Sequence, residues 1–145
     1  RHDTYPKRRG MTRVPELMAA GVTVAFGHDC VMDPWYSLGS GDMLEVAHMG
    51  LHVAQMTGQE AMHQCFLAVT ETPARILGLE GYGIAPGCHA DLVLLDAGST
   101  VEAIRLRAAR RVVIRRGAVV SETPRPHASL NLPGRPASTD FRLGR

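Results

Sequence analysis

Between Gly21 and Gly27 the sequence holds a short apolar run, Val22 to Phe26 with a single Thr23, and polar residues return at once with His28 and Asp29. A run this short, apolar at nearly every position and bounded by glycines, predicts a buried strand. Before it, Val14, Leu17 and Met18 share one face of a helix predicted over 13–20, with Thr12 placed to cap it and Gly21 to stop it. Glu16 follows Thr12 by four positions, one too many for a capping box. A second helix is predicted over 41–57 with Gly58 as terminator. Its apolar residues, from Met43 and Leu44 to Ala54 and Met56, cover more than one face and predict burial on several sides. Gly50 inside it costs about 1 kcal/mol relative to Ala, which predicts a close packing contact.

A third helix is predicted over 59–70, and Thr72-Pro73 opens a short one ending near Leu77-Gly78. Residues 81–89, with Gly83, Pro86 and Gly87, form a turn-rich connector to a strand over 90–96. A short helix over 100–109 turns Val101, Ile104 and Leu106 inward. Val112 to Ile114 and Ala118 to Val120 flank Arg116-Gly117 as a hairpin. From Thr123 onward the tail contains four of the nine prolines and no periodicity, so extended packing or disorder is expected rather than another domain.

Composition narrows the class. The 145 residues correspond to about one domain, with ordinary apolar and charged fractions of 45% and 21%. A formal net charge of +2 and no block of five like charges give no case for a nucleic-acid or anionic-membrane partner. The densest basic stretch, Tyr5-Pro6-Lys7-Arg8-Arg9, reads as a solvated loop or a subunit contact. Cys30, Cys65 and Cys88 are odd in number and far apart, which predicts reduced thiols and a cytoplasmic setting. No apolar run approaches the ~20 residues needed to cross a bilayer.

Candidate chemistry concentrates where the first strand ends. On position alone Asp29 reads as a turn former or helix cap, although the ends of buried strands in α/β folds are also where catalytic groups collect. Asp33-Pro34 is a turn pair, followed by Trp35 and Tyr36. His48 and His52 stand four apart and share a helix face, but Met49 occupies the position a zinc-binding H-E-x-x-H pair gives to Glu, so they are read as helix-face residues.

The blocks Tyr5 to Gly10, Phe26-Gly27-His28-Asp29, Asp33-Pro34-Trp35-Tyr36 and His48-Met49-Gly50-Leu51-His52 together resemble the C-terminal part of bacterial cytosine deaminases. These are metal-dependent (β/α)8-barrel enzymes of the amidohydrolase superfamily. Gly83 to Asp96 resembles the superfamily's return from barrel to a small β-sandwich. The resemblance implies an α/β fold, the C-terminal part of a (β/α)8 amidohydrolase barrel plus strands of that sandwich. Residues 1–78 would be the last βα units and terminal helices, 79–122 the return strands, and 123–145 a Pro-rich extended tail. A closed barrel takes about 250 residues, so the chain is expected to be part of a longer protein and inactive alone.

The implied activity is hydrolytic deamination of a free pyrimidine base, in pyrimidine salvage, by a water activated on one divalent ion, iron or zinc. Asp29 matches the family's metal-binding Asp that also accepts the water proton, and Trp35 matches the aromatic residue lining the substrate pocket. The other ligands are expected upstream of Arg1, since the sequence contains no H-x-H. The full-length protein is expected to be a homo-oligomer acting on a small-molecule base. Where the best-known cytosine deaminases carry a second Asp, this chain has Cys30, which predicts a pocket for a relative such as isocytosine or 5-methylcytosine. Cys30 as a metal ligand or nucleophile is the sharper alternative for that residue. Another amidohydrolase acting on a cyclic amidine or amide, and a non-catalytic remnant packing on a barrel, are the alternatives for the whole.

Overall fold

The computed structural model describes residues 10–140 and Arg142. The first block of the resemblance, Tyr5 to Arg9, lies outside the described residues. The elements run α1 (Val14–Ala19), α2 (Met43–Val53), α3 (Gln59–Leu67), α4 (Glu71–Ile76), β1 (Leu92–Leu95), α5 (Thr100–Leu106), β2 (Arg110–Arg115) and β3 (Ala118–Glu122). No helix among the described residues is long and apolar enough to cross a membrane.

Helix ends follow local chemistry. Arg13 rather than Thr12 is the N-cap of α1 and makes no side-chain cap, while Pro15 sits in the first turn, where its missing N–H is harmless. The start of α2 falls two residues later than the sequence pattern predicts because Asp42 caps it, accepting from the amides of Leu44 (2.8 Å) and Glu45 (3.2 Å). Its end falls well before Gly58. Gln55 turns left-handed (φ 56°), and Met56 N–H closes on the Leu51 carbonyl at 2.7 Å. This is a Schellman stop with a glutamine in the glycine position. Arg107 (φ 46°) ends α5 in the same way, with Ala108 N–H on the Ala103 carbonyl, three residues short of the predicted limit at Ala109. At α1 and α4 the residue in this conformation is Gly21 or Gly78, as expected.

Helices α2, α3 and α5 pack on one another around Leu44, Ala47, Leu51, Met56, Cys65 and Ile104. Ile104 and Cys65 are the largest side chains wholly withdrawn from solvent. Burial of α2 is more one-sided than its composition predicts, since Met49, His52 and Val53 are exposed.

The strands form one antiparallel sheet in the order β1-β2-β3. The β2–β3 hairpin turns at Arg116 (φ 51°) and Gly117 (φ 82°), between the paired residues Arg115 and Ala118. Two consecutive positive φ angles are what a tight two-residue hairpin needs. The second layer of a sandwich is not found among the described residues. Nor is the strand predicted over Val22 to Phe26: this run pairs with no strand among them, and is held by Val22 N–H on the Leu17 carbonyl (2.9 Å) and Phe26 N–H on the Ala68 carbonyl (2.8 Å). A strand exists only relative to a neighbouring strand, and no described strand runs beside this segment.

The tail turns back rather than trailing away. Arg125 and Arg142 both pair with Asp96 just after β1, at 2.9 and 3.0 Å, and Ser129 bridges Ser138.

Candidate active site

The segment over 22–26 is fixed from one side by α2. The Phe26 ring lies so close to Gly50 that a Cβ there would stand 2.6 Å from it, the packing contact that the glycine predicted. Directly after Phe26 the backbone enters a loop through Asp29, whose φ of 65° is a left-handed conformation that Asp tolerates better than most residues. Asp29, Cys30 and Trp35 all line one open cleft of about 690 Å³. Its other wall is the exposed face of α2, with Met49, Gly50 and Val53. The three residues singled out from sequence are therefore brought together. Asp29 is exposed, and Trp35 stands 85% exposed at the loop tip.

The electrostatics of the loop centre on Cys30. The neighbouring Asp33 carboxylate, then partial burial and the negative charge of Asp29, push its thiol up to about 11. At neutral pH the group is a protonated donor rather than a thiolate, which disfavours the nucleophile reading. Asp33 is held below its ordinary value chiefly by the Cys30 thiol; burial, the next largest effect, opposes this, and the amides of Trp35 (2.9 Å) and Tyr36 (3.0 Å) add to the lowering.

His28 was legible only as part of a motif, and the structure gives it a task. Its Nδ1 lies 3.1 Å from the Cys30 carbonyl, and its Nε2 lies 3.2 Å from the Gly41 amide. A carbonyl only accepts and an amide only donates, so the proton resides on Nδ1.

His48 and His52 form an edge-to-face pair with ring centroids 4.7 Å apart and do not line the cleft. Burial, then the charges of His52 and Arg107, lower the His48 pKa despite the opposing effect of Glu45. Among the described residues no three His, Cys, Asp or Glu side chains gather as a metal site. Asp29 presents one oxygen-donor group to the cleft, so a divalent ion fits there only with further donors from elsewhere.

The model of the amidohydrolase family matches residues 1–122. The chain belongs to the amidohydrolase family. This amidohydrolase chain is 36% identical over 119 residues to a pterin deaminase of Rhizobium rhizogenes, an alignment covering 81% of the chain and 27% of that protein. Its structure matches that of a 5-methylcytosine deaminase from Klebsiella pneumoniae bound to 5-fluorocytosine, with a TM-score of 0.82 and 41% identity, covering 92% of this chain and 32% of that one. It also matches an N-isopropylammelide isopropylaminohydrolase from Burkholderia multivorans, with a TM-score of 0.72 and 39% identity over 76% of this chain and 28% of that one. The chain thus spans about a quarter to a third of the length of these relatives. The amidohydrolase fold appears here as mixed α/β structure with one small three-stranded sheet.

Proposed function

We propose that this chain is the C-terminal portion of a (β/α)8-barrel hydrolase that deaminates a free aminopyrimidine, cytosine or a relative such as isocytosine or 5-methylcytosine. The observation that carries the reading is the convergence of Asp29, Cys30 and Trp35 on one cleft. The 41% identity to a 5-methylcytosine deaminase supports the substrate class. The reaction adds water to an sp² ring carbon, breaks the exocyclic C–N bond and releases ammonia. One divalent ion, iron or zinc, would be held by Asp29 with ligands from the rest of the barrel, and supplies a water acidic enough to attack at neutral pH. Asp29 takes the proton of the attacking water, and a shuttle group from the rest of the barrel passes a proton to the leaving nitrogen. Trp35 presents an aromatic face to a planar base. Cys30 offers a small, neutral, weakly polar wall beside the ring where a second carboxylate would be larger and charged. The free thiols of Cys30, Cys65 and Cys88 accord with a reducing cytoplasm.

The test is ammonia release by the full-length protein, metal-loaded, with cytosine, isocytosine, 5-methylcytosine and pterin offered in parallel. Release from a pyrimidine, abolished by Asp29→Asn, is the expected result. Release from pterin alone, the substrate named for the Rhizobium relative, would move the assignment to larger rings. Release from none of them would overturn the deaminase reading.

A further inference from the structure

The loop between His28 and Gly41 is built as nested rungs. Near its tip Asp33 and Tyr36 exchange backbone hydrogen bonds of 3.1 and 3.2 Å, and one step out Met32 N–H donates to the Leu38 carbonyl at 2.9 Å. No backbone pair among the described residues closes the base. The His28 ring does so instead, donating from Nδ1 to the Cys30 carbonyl and accepting at Nε2 from the Gly41 amide thirteen residues away. The fit is close on the ring's third side, where a Cβ on Gly39 would stand 2.7 Å from His28 Cε1. The far end of the staple is itself anchored: Asp42, next to Gly41, caps α2 and pairs with Arg110 of β2.

We propose that His28 is a positioning residue, whose imidazole staples Cys30 to Gly41 and so sets how Asp29, Cys30 and Trp35 meet the cleft. Both ring nitrogens are committed to backbone, which leaves neither for substrate. Asp29 and Cys30 lie directly beside one end of the staple, and Trp35 rides on the rungs it closes. The inference deepens the deaminase reading and rests on it for its kinetic consequence only.

The test compares wild type, His28→Ala, His28→Asn and His28→Gln in the full-length protein. Asn offers an amide donor near the Nδ1 position and Gln a carbonyl acceptor near the Nε2 position, so each keeps half of the staple. Amide hydrogen exchange is read over peptides spanning 29–41, and kcat and KM are measured with the base that wild type deaminates fastest. In His28→Ala, exchange across the loop is expected to rise about tenfold, with α3 unchanged. kcat/KM is expected to fall about 100-fold, since displacement of about 1 Å costs that much. Asn and Gln recover part of both losses. Wild-type exchange in the Ala loop, or no recovery by either conservative variant, overturns the proposal. If His28→Ala fails to fold, wild-type loop exchange in both Asn and Gln variants overturns it, and intermediate exchange upholds it. A wild type that deaminates nothing sinks the deaminase reading, and the exchange measurements still decide the role of His28.

Discussion

At Gly50 one methyl group sets two effects against each other. Alanine would gain about 1 kcal/mol in helix propensity, but its Cβ would stand 2.6 Å from the Phe26 ring, closer than real contacts allow. Overpacking of this kind costs about 1–3 kcal/mol, so Gly50→Ala is expected to lower the urea midpoint of the full-length protein. At Cys30 the consequence concerns selectivity. Cys30→Asp would add a third carboxylate beside Asp29 and Asp33 and a charged acceptor in the cleft. The ratio of kcat/KM for cytosine over 5-methylcytosine is expected to rise by about 10- to 100-fold, read from parallel ammonia-release assays. An unchanged ratio would remove Cys30 from the substrate pocket. These two residues stood out in the sequence for definite reasons: a glycine where a helix should not hold one, and a departure from a motif. His28 gave no such signal, because its partners are backbone groups and backbone groups leave no mark in a sequence.

Among the elements, helix position was far more legible than helix length. Apolar spacing placed four helices and Thr72-Pro73 the fifth, α4, which starts at Glu71 after Thr70; yet α2 and α5 stop at Gln55 and Arg107, and a left-handed residue is recognisable in sequence only when it is glycine. The same fact gives a prediction. A non-glycine residue pays roughly 1–2 kcal/mol in this conformation, and Gln55 is exposed. Gln55→Gly is therefore expected to stabilise the protein by about 0.5–1 kcal/mol, after the entropy that glycine restores to the unfolded chain is subtracted. A rise in thermal midpoint checks it, and a fall would show that the glutamine side chain contributes more than its strain removes.

The ion pair that ties α2 to the sheet was hidden in sequence, since Asp42 and Arg110 are 68 residues apart. Burial acts to raise the Asp42 pKa, but the Arg110 guanidinium and the amides of Glu45 and Leu44 outweigh it and hold the carboxyl below its ordinary value. A lowered folded-state value means that the contribution is fully present above the unfolded carboxylate range, near pH 4, and is lost as pH falls through the lowered value. Asp42→Asn keeps a cap acceptor and loses the charge. It is expected to cost about 1 kcal/mol at pH 7, with the gap to wild type closing in denaturation curves taken below about pH 4. A gap independent of pH would assign the effect to the cap alone.

On the scale of the whole molecule, the legible part was whatever the chain does with itself. The hairpin, the helical core and the Schellman stops at glycine all depend on neighbours in the same 145 residues. The run over 22–26 was read as a strand from its apolar content, and the structure leaves it without a strand partner among the described residues. The cleft has the same character, with one wall of α2 and the loop 28–41. For the tail, composition predicted extended packing or disorder; from Thr123 it runs without helix or strand among the described residues, and Arg125 and Arg142 hold it to Asp96.

Trp35 is the only tryptophan in the 145 residues and is 85% exposed at the rim of the cleft. It therefore serves as an optical reporter placed where substrate would arrive. In the full-length protein, the emission difference between wild type and Trp35→Phe isolates this indole. An empty cleft should give a red-shifted signal that iodide quenches freely, and a stacked base should quench it by contact while shielding it from iodide. Titrating that difference against candidate bases would yield affinities without any turnover, so ligand choice at this site can be ranked separately from catalysis.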